Sequence, residues 1–276
     1  MSIKYAYLGP AGTFTEAALQ KIATQSDKLI AYANVTAALD AVRNGECEKA
    51  LVPIENSVEG VVARTLDELA IGQPLVITAE TTLPVTFSLM TLSDKNPAEI
   101  KSIATHPHAE SQCRSFIAKN YPNAQVIESS STAAAAKGLS KGDYDAAIAG
   151  SNAAKNYGLK VIAENIGDNK AAITRFVLVE KPGNQPKATG KDRTSLAVFI
   201  ALDHAGALLE ILNEFAKHQV NLTFIQSRPT GSQLGHYHFI IDAEGHIEDK
   251  PISAALAGLK EICEDVRFLG SYPQAK

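Results

Sequence analysis

The sequence contains no tryptophan, two methionines and three cysteines in 276 residues, and aromatic residues make up 6% of it. Cys47, Cys113 and Cys263 lie far apart and form no CxxC pair, which fits a reducing compartment better than a secreted protein. No apolar stretch approaches membrane-spanning length, and the N-terminus lacks the three regions of a signal peptide. We therefore expect a cytoplasmic protein.

The charge content also excludes classes of partner. The net charge is −4, charged residues make up 20% of the chain, and there is no sustained Lys/Arg stripe. This argues against a surface for nucleic acid or for an anionic membrane. The apolar content of 45% over 276 residues predicts two or three packed units. A small molecule is the expected partner.

The first two-thirds of the chain alternate short apolar runs with Ala-rich helical patterns, as in α/β units with largely parallel strands. The predicted strands include Lys4–Leu8, Val85–Met90 and Ala146–Ala149, and the predicted helices include Ala109–Asn120. A pattern of helix cap, helix, acidic turn and strand occurs at residues 36–52 and again at 132–149. Each copy is followed by a polar pair, Asn56-Ser57 or Ser151-Asn152, where a ligand crevice would open. We predict two similar lobes that face a cleft, although Ala-rich helices can also resemble one another by coincidence.

The composition changes near residue 182 to a Pro-, Gly- and Lys-containing stretch with almost nothing to bury. We interpret residues 182–193 as a linker between a catalytic domain at 1–181 and a second domain at 194–276. The second domain begins with a predicted strand at Ser195–Leu202. Its elements follow the order βαββαβ, which is typical of the ferredoxin-like fold.

Polar residues follow several predicted strands, and each set has two interpretations. Gly12 and Thr13 precede the first helix, where Thr13 and Glu16 have capping-box spacing but the exposed N–H groups also suit a carboxylate. Glu55 directly after a buried run needs a partner or a function. Arg175 enters an apolar strand, where either a salt bridge or a ligand would offset its burial.

The remaining polar sets open predicted helices. His106 precedes Pro107, which fits the first position of a helix. Ser131 and Thr132 belong to a run of four hydroxyl residues, of which capping explains one. Metal binding at His106 and His108 would need further ligands that the sequence does not single out.

Five motifs in this order resemble the prephenate dehydratase family across nearly the whole chain. They are Gly9-Pro10-Ala11-Gly12-Thr13-Phe14, Pro53-Ile54-Glu55-Asn56-Ser57-Val58-Glu59-Gly60, His106-Pro107, Ser131-Thr132-Ala133-Ala134 and Thr174-Arg175-Phe176. The C-terminal part resembles the ACT domain of that family, through Gly206-Ala207-Leu208-Leu209 and Gln226-Ser227-Arg228-Pro229. Ala63, Ala172 and Gln226 depart from the family pattern, which has Asn, Asn and Glu there.

The resemblance implies a metal-free and cofactor-free conversion of prephenate to phenylpyruvate. It assigns the catalytic roles to Thr174, Arg175, Phe176 and Glu55. Thr174 would donate a hydrogen bond to the leaving oxygen, and Arg175 would bind the side-chain carboxylate. Glu55 would supply the proton if burial keeps it protonated. The implied substrate-binding residues are Gly12, Thr13, Asn56, Ser57, His106, Ser131 and Thr132.

The ACT resemblance implies regulation by L-phenylalanine and an oligomer, dimer or tetramer, that forms through paired ACT domains. The implied effector residues are Gly206, Ala207, Leu208, Leu209, Asn221, Leu222, Gln226, Ser227 and Arg228. Two alternatives stay open. Arogenate differs from prephenate by an amino group, so an arogenate dehydratase would show similar motifs. A non-catalytic two-lobed sensor of small molecules would explain the repeat and the cleft equally well.

Overall fold

The computed structural model describes residues 2–93, 96–200, 204–231 and 237–275. Its strands are β1 Lys4–Leu8, β2 Lys28–Tyr32, β3 Lys49–Asn56, β4 Gly60–Val61, β5 Val76–Pro84, β6 Ser88–Thr91, β7 Ser102–Thr105, β8 Gln125–Glu128, β9 Ala146–Ala149, β10 Lys160–Ala163, β11 Ile173–Glu180, β12 Asp192–Ile200, β13 Leu222–Pro229, β14 Tyr237–Glu244 and β15 Cys263–Pro273.

The helices are α1 Phe14–Leu19, α2 Val35–Arg43, α3 Ala63–Ile71, α4 Pro107–Gln112, α5 Arg114–Asn120, α6 Thr132–Leu139, α7 Ser151–Tyr157, α8 Ala207–Lys217 and α9 Lys250–Ile262, with a 3-10 turn at Pro97–Glu99. The chain forms two compact units. Unit 1 contains Met1–Ala38, Leu51–Val61 and Thr82–Phe176, and unit 2 contains Leu39–Ala50, Val62–Thr81 and Val177–Lys276.

The α/β part of the chain forms two sheets. One has the strand order β2-β1-β3-β11-β5, with β4 paired to β3, and the other has the order β10-β6-β9-β7-β8. In the second sheet β7 runs parallel to both β8 and β9, whereas β6 is antiparallel to β9 and β10. This confirms the predicted α/β class with its two lobes, but the second sheet is mixed, with two parallel and two antiparallel strand pairs.

Parallel pairing places the carboxyl ends of β7, β8 and β9 at one edge of the second sheet. Helices α4, α6 and α7 begin shortly after these three strands. The residues behind this edge are small and fully buried, among them Ala135, Ala147 and Ala153, which lets the helices approach the strands closely. The N-termini of three helices, whose first N–H groups have no acceptor within the helix backbone, therefore lie at the same edge.

The C-terminal part, described within unit 2, has the element order β12-α8-β13-β14-α9-β15. Its sheet order is β13-β14-β12-β15, and β12 is antiparallel to both neighbours. The core cluster of this sheet and its helices includes Leu196, Val198, Phe215, Ile241 and Leu259. This confirms the predicted ferredoxin-like fold.

Arginines of the same sheet bind the α3 segment, also in unit 2. Arg228 forms two 2.8 Å hydrogen bonds to the carboxylate of Asp67, and Arg267 Nη1 donates to Gly72 O at 3.0 Å. Gly270 has a positive φ of 141°, and a Cβ there would lie 2.2 Å from Ile77 O. The close backbone approach therefore requires glycine.

Several predicted elements differ from the structure. The helix predicted over Ala109–Asn120 is two helices, because Cys113 leaves helical geometry at φ −119° and ψ 13°. The strand predicted at Val85–Met90 is wrong at its start, since β5 ends at Pro84 and β6 begins at Ser88. The strand predicted over Ser195–Leu202 appears as β12, and its last two predicted residues, 201 and 202, lie outside the described residues.

Among the residues that the structure describes, no helix is both long and apolar enough to cross a membrane.

Candidate active site

The end of β3 and the start of β11 are joined by hydrogen bonds at the predicted catalytic motifs. Ser57 N donates to Ile173 O at 2.9 Å, and Ile173 N donates back to Ser57 Oγ at 3.0 Å. These two bonds align the Glu-Asn-Ser segment with the Thr-Arg-Phe segment although more than 100 residues separate them in the chain. Glu55, Asn56, Ser57, Thr174 and Arg175 are thereby brought together.

Asn56 holds the hydroxyl of Thr174. Its Oδ1 accepts hydrogen bonds from the N–H groups of Val58 and Glu59, at 2.8 and 2.9 Å, which fixes the orientation of the amide. Its Nδ2 then donates to Thr174 Oγ1 at 2.8 Å. A threonine hydroxyl that accepts one hydrogen bond still has its own proton to donate. The arrangement therefore presents Thr174, which is 8% exposed, as a hydrogen-bond donor.

Arg175 pairs with Glu55. The distance from Arg175 Nε to Glu55 Oε2 is 3.3 Å, the arginine side chain is 8% exposed and the glutamate side chain is 40% exposed. Thr174 and Arg175 thus contact different residues of β3, Asn56 and Glu55. The Glu55 side chain is partly exposed, so it differs from the buried carboxyl group that the sequence hypothesis assumes. Phe176 is buried, at 1% exposure.

The turn before α1 packs against α7. Thr13 Oγ1 donates to Leu8 O at 3.0 Å and accepts from Glu16 N at 3.3 Å, so it caps the helix as the sequence predicts. Gly12 has φ 88°, and a Cβ there would lie 3.2 Å from Ala153 Cα. The glycine therefore permits both the turn and its contact with α7.

His106 is the N-cap of α4, as Pro107 at the first helical position predicts. Its Nδ1 accepts from His108 N at 3.2 Å, and the two rings lie 4.9 Å apart at 85°. Burial and the neighbouring His108 lower the pKa of His106 below its ordinary value of 6.5, and Glu59 and Glu128 act in the opposite direction. His106 is therefore mainly neutral at neutral pH.

Ser131 and Thr132 open α6, which follows β8 in the second sheet. Ser131 Oγ accepts from Ala134 N at 3.0 Å, so its bond stays within its own helix. Both residues are partly exposed at the edge of the sheet where α4 and α7 also begin. The structure places them on the second sheet, whereas Thr174 and Asn56 lie on the first.

Glu59 and Gln112, which contact each other near the site, carried no functional prediction. Gln112 Nε2 donates to Glu59 Oε1 at 2.8 Å, and His108 Nδ1 lies 3.5 Å from Glu59 Oε2. Glu59 belongs to a motif that the sequence singles out, but Gln112 lies in the middle of a helical pattern. A contact across 53 residues leaves no local signal by which Gln112 could have been found.

The predicted effector residues do not all lie together. Gly206, Ala207, Leu208 and Ser227 line one cavity of about 340 Å³, together with Ile200, His204, Tyr237 and Phe239. Leu209 follows Leu208 in the sequence and is 60% exposed. Leu222 packs against the core of the sheet. Asn221 Nδ2 donates to Glu244 Oε2 at 2.9 Å, Gln226 Nε2 donates to Ser227 O at 3.0 Å, and Arg228 binds Asp67.

Comparison with known proteins gives two family matches. The prephenate dehydratase model matches residues 5–184, and the ACT domain model matches residues 194–261. A prephenate dehydratase of Amycolatopsis methanolica is 46% identical over 273 residues, which cover 99% of this chain and 89% of that protein.

Solved structures are similar over nearly the whole chain. The prephenate dehydratase of Arthrobacter aurescens, in complex with L-Phe, has a TM-score of 0.92 and 49% identity, and the match covers 98% of this chain and 90% of that one. A structure described as a quorum quenching acylase has a TM-score of 0.86 and 27% identity, with 98% of both chains covered.

The lowered pKa of His106 makes stability depend on pH. As the pH falls below about 6.5, the unfolded chain takes up a proton before the folded chain does, so the stability that neutral His106 contributes is lost. His106→Asn keeps a capping oxygen and cannot titrate. We expect the free energy of unfolding of the wild type, relative to this variant, to decrease between pH 7 and pH 5. A His106 pKa at or above 6.5, measured by NMR titration, would contradict this.

Proposed function

Because the chain belongs to the prephenate dehydratase family, we propose that it converts prephenate to phenylpyruvate, CO2 and water. Identity of 46–49% to named prephenate dehydratases over nearly the whole chain supports this activity over that of the acylase, at 27%. The observation that carries the proposal is the bond from Asn56 Nδ2 to Thr174 Oγ1, because it leaves the proton of Thr174 for the leaving oxygen.

The reaction needs charge control rather than redox chemistry. The C–C bond between the ring and its carboxylate breaks and releases CO2, and the electron pair moves through the ring. The C–O bond on the opposite side of the ring then breaks, and the departing hydroxide takes a proton from solvent and becomes water. Formation of the aromatic ring drives the reaction, so the protein has to orient the dianion and stabilise the departing oxygen.

Thr174 stabilises the departing hydroxide. Its hydroxyl is too weak an acid to give up its proton freely, but a hydrogen bond donated to the leaving oxygen becomes stronger as negative charge develops there. The buried position supports this role, because a hydrogen bond is stronger in surroundings of low dielectric constant. Asn56 fixes the direction of the donor before the substrate arrives.

Arg175 supplies the positive charge for the side-chain carboxylate of the substrate. A guanidinium can bind a carboxylate through two parallel hydrogen bonds. Glu55 balances this charge and orients the guanidinium. Binding of the other carboxylate is weaker in this scheme, since tight pairing there would oppose loss of CO2. The remaining proposed substrate-binding residues are Gly12, Thr13, Ser57, His106, Ser131 and Thr132, and Phe176 supports Thr174 and Arg175 from the core.

We also propose the domain division and the cellular setting. Residues 1–181 form the catalytic domain, 182–193 the linker and 194–276 the ACT domain, which the matches at 5–184 and 194–261 support. The protein works in the cytoplasm as a dimer or tetramer that assembles through ACT domains.

L-phenylalanine regulates the enzyme by binding to the ACT domain. The solved relative that carries L-Phe supports this choice of effector. Gly206, Ala207, Leu208 and Ser227 provide the cavity, whose volume of about 340 Å³ is enough for an aromatic amino acid. Leu209, Asn221, Leu222, Gln226 and Arg228 complete the proposed effector region.

Thr174→Ala should strongly lower the rate of the reaction. We expect the wild type to convert prephenate to phenylpyruvate, and Thr174→Ala to lower kcat by about 100-fold or more because the donor to the leaving oxygen is lost. Absorbance of phenylpyruvate measures the rate. Thr24→Ala, at an exposed threonine of the same unit, serves as the control and should keep wild-type kcat.

Arogenate is assayed in parallel with prephenate. A higher kcat/KM for prephenate than for arogenate supports the proposal. A higher kcat/KM for arogenate would make arogenate the substrate instead. No turnover of either compound by the wild type would overturn the proposed reaction.

Ser227→Leu should weaken binding of L-phenylalanine. The longer side chain enters the cavity and displaces the effector, so we expect a Kd at least about tenfold higher by calorimetry. Thr223→Leu makes the same kind of change at an exposed position of β13 that does not line the cavity, and it should bind like the wild type. Equal weakening in both variants would contradict the proposed site.

A further inference from the structure

Glu16 holds a buried carboxylate that neither catalysis nor capping uses. The residue is 8% exposed in the first turn of α1. Its carboxylate accepts hydrogen bonds from Tyr7 Oη at 3.0 Å, from Gly12 N at 2.6 Å and from Asn156 Nδ2 at 2.7 Å. The three donors come from β1, from the turn before α1 and from α7.

Helix capping does not account for this arrangement. In a capping box the carboxylate would reach back to the N–H of the cap residue, Thr13. Here it bonds to Gly12 instead and continues to Asn156, which lies 140 residues away in the chain. Burial and the neighbouring carboxylate raise the pKa of Tyr7 well above its usual range, so its hydroxyl remains a donor. All three partners therefore donate to Glu16.

Two more hydrogen bonds join the same turn to α7. Asn152 Nδ2 donates to Thr13 O at 2.9 Å, and Tyr157 Oη donates to Ala11 O at 2.7 Å. The turn follows β1 in the first sheet, and α7 follows β9 in the second sheet. These hydrogen bonds therefore hold one lobe against the other near Thr13, within unit 1.

We infer that Glu16 and Asn156 form a latch that holds the two lobes of the substrate cleft in the arrangement of this structure, which we call the closed form, and that both are positioning residues for the reaction. This inference rests on the proposed function. A substrate that binds only the closed form shows an apparent affinity reduced in proportion to the closed fraction. The latch therefore acts on KM, whereas Thr174 acts on kcat.

The test uses variants of Asn156. This residue is exposed on α7, so its substitution leaves the core packing intact. Loss of a hydrogen bond to a charged group should raise KM for prephenate about tenfold in Asn156→Ala. The value of kcat should stay within about twofold, because the closed complex is unchanged. Asn156→Asp has the same shape but places a second carboxylate beside Glu16, so we expect a larger increase in KM.

The control is Asn120→Ala, which removes an exposed helical asparagine whose Nδ2 donates to Phe116 O in its own helix. It should leave KM unchanged. Hydrogen exchange supplies a readout that does not depend on turnover. The N–H of Gly12 and the amides of α7 should exchange faster in Asn156→Ala than in the wild type or in Asn120→Ala.

An unchanged KM, or a lower kcat at constant KM, would overturn the latch. Equal exchange in Asn156→Ala and the wild type would do the same. Failure of the proposed function is a separate outcome. If the wild type is inactive but its Gly12 amide, which donates to Glu16, still exchanges more slowly than in Asn156→Ala, the latch stands and only the substrate is wrong.

Discussion

The hydrogen bond from Asn56 Nδ2 to Thr174 Oγ1 is the constraint on which the proposed chemistry depends. It requires the end of β3 and the start of β11 to lie side by side, and the two bonds between Ser57 and Ile173 provide this alignment. It also requires a fixed amide, and the N–H groups of Val58 and Glu59 hold its oxygen. Because the amide cannot rotate, the hydroxyl of Thr174 has a defined role as a donor.

Other polar contacts of unit 1 orient the residues and join the elements around this hydrogen bond. Glu55 orients the guanidinium of Arg175, and the carboxylate of Glu16 joins the first helix turn to α7. Glu59 reaches Gln112 on α4 in the same way. These contacts use buried or half-buried carboxylates with named donors, which is how a protein accommodates charge away from water. Precision at the site therefore depends on residues from both sheets.

The sequence was most informative where the signal was local. Tyr5–Leu8 and Ala146–Ala149 are continuous apolar runs, and the strands Lys4–Leu8 and Ala146–Ala149 have the predicted bounds. The strand Lys28–Tyr32 was not predicted although Leu29-Ile30-Ala31-Tyr32 is apolar, and its residues are partly or fully exposed in the structure. Motifs identified Thr174 and Asn56, but the pairing of Asn56 with Thr174 spans 118 residues and that of Glu16 with Asn156 spans 140. Such pairings follow from the fold and leave no pattern in a single sequence.

A double-mutant cycle on Asn56 and Thr174 tests the central claim most directly. Asn56→Asp keeps the oxygen that accepts from Val58 and Glu59 but removes the donor, so Thr174 would donate to the aspartate instead of to the substrate. If one hydrogen bond links the two residues, kcat for prephenate in Asn56→Asp should fall nearly as far as in Thr174→Val, and the double variant should be no slower than Thr174→Val. Losses that multiply in the double variant would show that the residues act independently and would contradict the account.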